Sequence, residues 1–200
     1  VNSMFLRLVV ICWVFLGSQV LALPLKLQPE SAIWFEGKST LHPFECIASK
    51  FQVDIVQEDS AGTVRLSDAV LKGIPFSKFQ VVIPVKNIQS GKTGLDKNMY
   101  GALRAEKNPV ILFMLNKYSV YPSKKAGPSV VKASGQLAIS GKERPIEIIA
   151  QFAKTETGIR VQGAKEIRMT DFGVDPPVMM LGVVRTDDVV TVYFDLKLGK

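Results

Sequence analysis

The chain has 200 residues, 47% hydrophobic and 22% charged, with 25 basic against 18 acidic side chains and a net charge of +7. That length suits one domain with a real core. Its cations stand singly between apolar residues, with no Lys/Arg block interleaved with aromatics, so they read as a solvated surface and exclude a nucleic-acid interface. Transient contact with an anionic membrane surface stays open.

The first element is a leader. Arg7 precedes the apolar run Leu8–Leu16, which is followed by Gly17-Ser18-Gln19 and then Val20-Leu21-Ala22. A cation, a short apolar stretch and small residues before a cleavage point make a secretory signal. Crossing a bilayer as a helix takes roughly 20 apolar residues, more than this run supplies. A lipoprotein signal would end its apolar run at Cys12, and this one continues to Leu16. The reading is a signal peptide over residues 1–22, cleaved near Ala22, and one domain over 23–200, periplasmic or secreted.

Beyond the leader, apolar and polar residues alternate with the period of half-buried strands. Phe51-Val53-Ile55, Phe79-Val81-Ile83, Ile146-Ile148-Ala150-Phe152 and Val190-Val192-Phe194-Leu196-Leu198 each follow it. Turn signals stand between them: Asp59–Gly62, Gly73–Pro75, Ser123–Pro128, Ser140-Gly141-Lys142 and Thr155–Gly158. Short strands with frequent turns predict a mainly β, antiparallel sandwich or barrel. One segment departs from the pattern. Leu95, Met99, Ala102 and Leu103 recur at helical spacing, and Asn108-Pro109 stops the run, predicting a single short helix within 94–108 that caps one end. Further on, Pro176-Pro177 forbids a regular central strand, so Met169–Gly182 reads as a flap carrying Val178-Met179-Met180-Leu181.

Catalytic and metal chemistry find little material. With the leader removed, one Cys (Cys46) and one His (His42) remain. In a strand those side chains stand ~13 Å apart, too far for a dyad, and a zinc or copper site draws on more ligands than this pair supplies. Cys46 reads as a small buried apolar side chain. Asp187-Asp188, Asp171 and Asp175 read as turn carboxylates. No glycine-rich phosphate loop is present.

The sequence resembles the YceI-like polyisoprenoid-binding family in four blocks that run in order: Gly37–Phe44, Leu95–Ala105 leading into Lys107–Phe113, Gly135–Ile146, and Asp171-Phe172-Gly173-Val174 with a closing strand at Val189–Leu198. The resemblance implies an antiparallel, lipocalin-like β-barrel of about eight strands with a short capping helix. It also implies a lumen that holds a long apolar amphiphile, an isoprenoid or quinone-like lipid, with no covalent chemistry and no cofactor beyond the bound lipid. A barrel of that size just accommodates one slender ligand. On this reading Phe51, Val53, Phe79, Val81, Phe113, Phe152, Val192 and Phe194 point inward, Met99 and Leu103 close the lumen from the helix, and Phe172, Met179 and Met180 from the flap. His42 and Phe44 sit at the mouth, with His42 a donor to a polar headgroup. The expected activity is that of a carrier or scavenger, monomeric or homodimeric. The alternation fits equally an envelope stress or interaction protein whose barrel is filled, and a lipid-modifying enzyme would use His42.

Overall fold

The structure, a computed structural model, describes residues 26–57, 66–72, 76–123 and 127–199. The leader expected at 1–22, the turns at 59–62 and 73–75, and residues 124–126 lie outside them. Alternating sequence becomes strand throughout. The first strands are β1 (Lys26–Leu27), β2 (Ala32–Ser39), β3 (Pro43–Ala48) and β4 (Gln52–Gln57). Helix α1 (Leu66–Leu71) leads to β5 (Phe76–Pro84), which runs through the 3₁₀ turn Val85–Asn87 into β6 (Ile88–Gln89). Helix α2 (Thr93–Ala102) precedes the long strands β7 (Val110–Tyr121), β8 (Ser129–Ile139), β9 (Lys142–Lys154) and β10 (Gly158–Arg168). A 3₁₀ turn at Thr170–Phe172, strand β11 (Val178–Met179) and a second at Met180–Gly182 lead to β12 (Val184–Gly199).

All pair antiparallel in one 12-stranded sheet of order β4-β5-β7-β8-β9-β10-β12-β2-β3-β6, with β1 and β11 on β12. Strands β5 and β6 stand near opposite ends of that order, yet only Val85–Asn87 separates them in the chain. The sheet therefore curls round on itself, and β3 meets β6 through Ile47↔Gln89 and Ala48↔Ile88. Ser49 N–H donates to the Asn87 carbonyl at 2.8 Å, and Asn87 Nδ2 to the Lys50 carbonyl at 3.2 Å, tying the corner. The expected lipocalin-like barrel is present, with more strands than the predicted eight. Most of the excess comes from the two-residue pieces β1, β6 and β11, too short to show a period.

Two local features set which residues face inward. Strand β7 carries a bulge between Leu115 and Lys117, where one extra residue reverses the parity, so Ile111, Phe113 and Leu115 face the interior before it and Tyr118 after it. Strands β8 and β9 join through Ser140 (φ 51°) and Gly141 (φ 78°), two positive φ angles in succession, as a two-residue type I′ hairpin needs.

The helices correct the sequence reading twice. Among the described residues there are two: α1 sets Val70, 7% exposed, among Val131, Phe152, Ile159 and Leu198. Helix α2 sets Leu103 beside Phe172, Ile139 and Ile167, at the other ends of the same strands, so the two helices plug opposite ends. Helix α2 also stops at Ala102, well before Asn108-Pro109. Arg104 takes φ 51°, its N–H donates to the Gly101 carbonyl at 3.0 Å, and Ala105 N–H donates to the Tyr100 carbonyl at 2.9 Å. That is a Schellman end with an arginine where glycine is usual, so composition did not advertise it. Among the described residues no helix is long and apolar enough to cross a membrane.

Candidate functional site

Inside the curled sheet lies a cavity of about 240 Å³ walled almost wholly by carbon. Strand alternation supplies the wall: Val131, Ala133 and Leu137 from β8, Ile146, Ile148, Ala150 and Phe152 from β9, Val192, Phe194, Leu196 and Leu198 from β12. A second cavity of about 120 Å³ lies under α2, between Phe44, Leu95, Met99, Leu103, Met169, Phe172 and Val174. The two share Phe35, Cys46, Ile88, Ile111, Ile139, Ile167 and Val192 as wall, and so lie side by side between the barrel centre and the α2 end.

Three inward glycines shape this space. A Cβ built on Gly163 would stand 2.6 Å from Phe194 Cζ, one on Gly135 would stand 2.8 Å from Phe113 Cε2, and one on Gly37 would meet the Phe44 ring. Each phenylalanine thus brings the far edge of its ring against a bare stretch of neighbouring strand, a glycine–aromatic pairing that holds large rings at the wall. Phe44 also packs edge-on to Phe35, centroids 6.4 Å apart and planes at 88°.

Of the residues expected to face the lumen, Phe79, Val81, Phe113, Phe152, Val192 and Phe194 line the central cavity, and Phe44, Met99, Leu103 and Phe172 the second. Phe51 and Val53 pack against the core from the edge strand side without lining either. His42 is exposed, its Nδ1 2.9 Å from the Pro43 carbonyl oxygen, on the turn before β3 and outside both cavities. Met179 is also outside, its sulfur accepting from Asn98 Nδ2 at 2.7 Å. Met180, with φ 51°, is turned outward and 71% exposed. The flap reaches the lumen at its start instead: Asp188 accepts from the Thr170 N–H at 2.9 Å and hydroxyl at 2.8 Å, holding the turn that points Phe172 and Val174 inward. Those hydrogen bonds, the Thr170 N–H foremost, draw the Asp188 carboxyl below its ordinary value.

The sequence reading missed β10. Ile159, Val161, Lys165 and Ile167 all line the central cavity, but Gly163 and Lys165 interrupt the apolar alternation and hide the strand. Its period is intact, since the lining residues and Gly163 all fall on odd positions. Among the wall residues Lys165 alone is charged.

Strand β10 also shapes the wall. Its pairing with β9 runs from Ile159↔Lys154 to Gly163↔Ala150 and stops, whereas its pairing with β12 continues to Arg168↔Val189. Beyond Gly163 the two strands are no longer paired, which leaves a break in the barrel side, a slot flanked by Lys165 and Ile148. The 170–173 turn bridges the wide end, where Arg144 Nε donates to the Asp171 carbonyl at 3.0 Å.

Burial fixes the chemistry of the buried titratable groups. Cys46, 1% exposed and part of both cavity walls, has its thiol pushed up to about 12, first by desolvation and then by the charges of Asp96 and Glu45. Tyr118 is raised by burial to about 12. Among the described residues no group of three or more His, Cys, Asp and Glu side chains is placed to hold a metal.

The profile of the YceI-like domain matches residues 31–198. Among solved structures, BcnA of Burkholderia cenocepacia is similar at TM-score 0.62 and 17% identity, covering 85% of this chain and 96% of its own. A polyisoprenoid-binding domain from Saccharophagus degradans, implicated in plant cell wall breakdown, is similar at TM-score 0.62 and 17% identity, covering 90% and 98%. The YceI protein of Campylobacter jejuni follows at TM-score 0.55 and 17% identity, covering 78% and 84%. No curated protein matches the chain. With a profile match over nearly all of the barrel and a fold shared with these structures, the chain belongs to the family of YceI-like domains.

Proposed function

We propose that this protein binds one long apolar amphiphile, an isoprenoid or quinone-like lipid, in its lumen, and that it carries or scavenges that lipid after export. The observation that carries the reading is the carbon-walled cavity at the barrel centre, with a second apolar cavity beside it under α2. A void of about 240 Å³ falls just below the ~300–1,000 Å³ of drug-sized sites, which suits a slender chain over a bulky ring system. Each buried CH₂ contributes roughly 0.8 kcal/mol before ordering costs, so a prenyl tail binds without a specific polar contact. The fold shared with a polyisoprenoid-binding domain supports the same ligand class, and the leader pattern at 1–22 supports export to the periplasm or beyond.

The reading is of a binding module without a covalent step. A thiol held near 12 is a poor nucleophile at neutral pH, and His42 is turned to the Pro43 carbonyl outside the lumen. Membrane contact is assigned to the barrel end where Leu41 (68% exposed), Met180 (71%), Leu181 (109%) and Val183 (71%) stand in water together, joined by Thr40 Oγ1 donating to the Val183 carbonyl at 3.1 Å. Solvent extraction of the purified protein followed by mass spectrometry tests the function, backed by titration with a fluorescent polyene. A stoichiometric long-chain lipid is expected, and absence of both a co-purified lipid and any binding on titration overturns it.

A further inference from the structure

Lys165 breaks the rule that builds the rest of the lumen. Its position on β10, between Gly163 and Ile167 and opposite Val192 on β12, faces inward, where every neighbour on the wall is apolar. An ammonium held in hydrocarbon without a partner is strongly unfavourable. Among the described residues Lys165 makes no ion pair, since none of the salt bridges they form includes it. The slot resolves the conflict. Strand β9 leaves β10 after Gly163↔Ala150, two residues before Lys165, and the residue is half-buried, so a four-carbon stem laid along the lumen wall has an opening within reach for its head.

We propose that Lys165 is the headgroup site of this protein: its ammonium at the β9–β10 slot receives the anionic head, phosphate or carboxylate, of a single-chain amphiphile whose tail occupies the lumen. The inference rests on the lumen-binding reading and adds to it the charge of the ligand and its place of entry. A lysine ammonium is a compact point charge with three donors, suited to either oxyanion and demanding no bidentate geometry. The basic groups at the wide end of the slot add to the same field: Arg144 on the Asp171 carbonyl, Arg104 reaching the Gly173 carbonyl at 3.4 Å, and the Lys142 side chain lying over Gly173. The competing explanation is structural. An inward lysine beside unpaired strand edges also discourages edge-to-edge association, and such a role would be indifferent to the charge of a ligand.

The test uses the full chain and displacement of a neutral fluorescent polyene by three probes: geranylgeranyl monophosphate, geranylgeraniol and inorganic phosphate. The wild type is expected to bind the monophosphate about tenfold more tightly than the alcohol, as one charge-assisted hydrogen bond provides. Lys165→Met should abolish that preference, the monophosphate losing at least about fivefold more affinity than the alcohol, while Lys165→Arg retains most of it. A melting temperature close to that of the wild type certifies that the methionine variant is folded. Equal affinities in the wild type, or equal losses for both tailed probes in the variant, overturn the headgroup site and leave lumen binding standing. Inorganic phosphate competing with the tailed phosphate at comparable concentration overturns it too, since the site would then be one for free anion. Binding of neither tailed probe removes the lumen reading and this inference with it.

Discussion

The ring of Phe194 on β12 lies across Gly163 on β10, its cross-strand partner, so closely that a methyl group there would stand 2.6 Å from Cζ and 2.9 Å from the Ile149 carbonyl oxygen. Part of a lumen aromatic is thereby spent on backbone, while the residue still lines the cavity. Gly163→Ala is expected to destabilise the protein by about 1–3 kcal/mol, the usual cost of forcing a core ring from its place. In the double variant with Phe194→Leu the loss should be smaller than the two single losses added together, because the pair shares one clash. Denaturant unfolding of the four proteins measures this, and strict additivity would show that the ring and the glycine do not interact.

Ala133 lines the central cavity on β8. Ala133→Phe places a ring in space that holds no protein atoms, so the folded state should lose little, within about 1 kcal/mol, or gain from filling a void. Lipid binding should fall at least about tenfold, since the tail and the ring compete for one volume. A variant that is stable yet binds as the wild type would place the ligand elsewhere.

Alkaline pH should weaken the fold. Cys46 and Tyr118 are held at about 12, against ordinary values of 9.0 and 10.0. Each keeps its proton in the native state after the unfolded chain has lost it, so their contribution is complete below about 9 and is lost as pH rises toward 12. Melting temperatures measured from pH 7 to 11 should fall above pH 9, and less steeply in Cys46→Ala than in the wild type. In the native protein at pH 8, Cys46 should resist iodoacetamide and react promptly only in denaturant. Equal rates in the two states would show that the thiol is neither buried nor protonated as described.

Leu181 is fully exposed, and it and Met180 hold φ 53° and 51°, a conformation seldom adopted by such side chains. Leu181→Asp should leave stability within about 0.5 kcal/mol, as expected for a solvated position. Co-sedimentation with vesicles of mixed neutral and anionic phospholipid should drop severalfold, while binding of a soluble lipid probe is unchanged. Undiminished co-sedimentation would remove this loop from the membrane contact.

Much of the barrel was legible because its rule is local. Phe79-Val81-Ile83 and Val190 to Leu198 declare their strands by period two, and six of the eight strand residues expected to point inward do line the central cavity. The rule failed where a local signal was borrowed for another purpose. Gly163 and Lys165 broke the alternation of β10, Asn116 reversed the parity of β7, and the left-handed Arg104 ended α2 ahead of its proline. The apolar flap residues Met179 and Met180 looked like lumen and are not, because composition does not say which way a turn faces.

Composition and periodicity by themselves determined a mainly β chain with an apolar interior, and the single His, with a single Cys beyond residue 22, left little material for catalysis. Only tertiary pairing decided the rest. That β5 and β6 return to opposite ends of one sheet, that phenylalanines lie over glycines from other strands, and that β9 parts from β10 beside Lys165 are contacts between residues distant in sequence. A period of two specifies which face a residue occupies, but not which strand lies next to it or where that pairing ends.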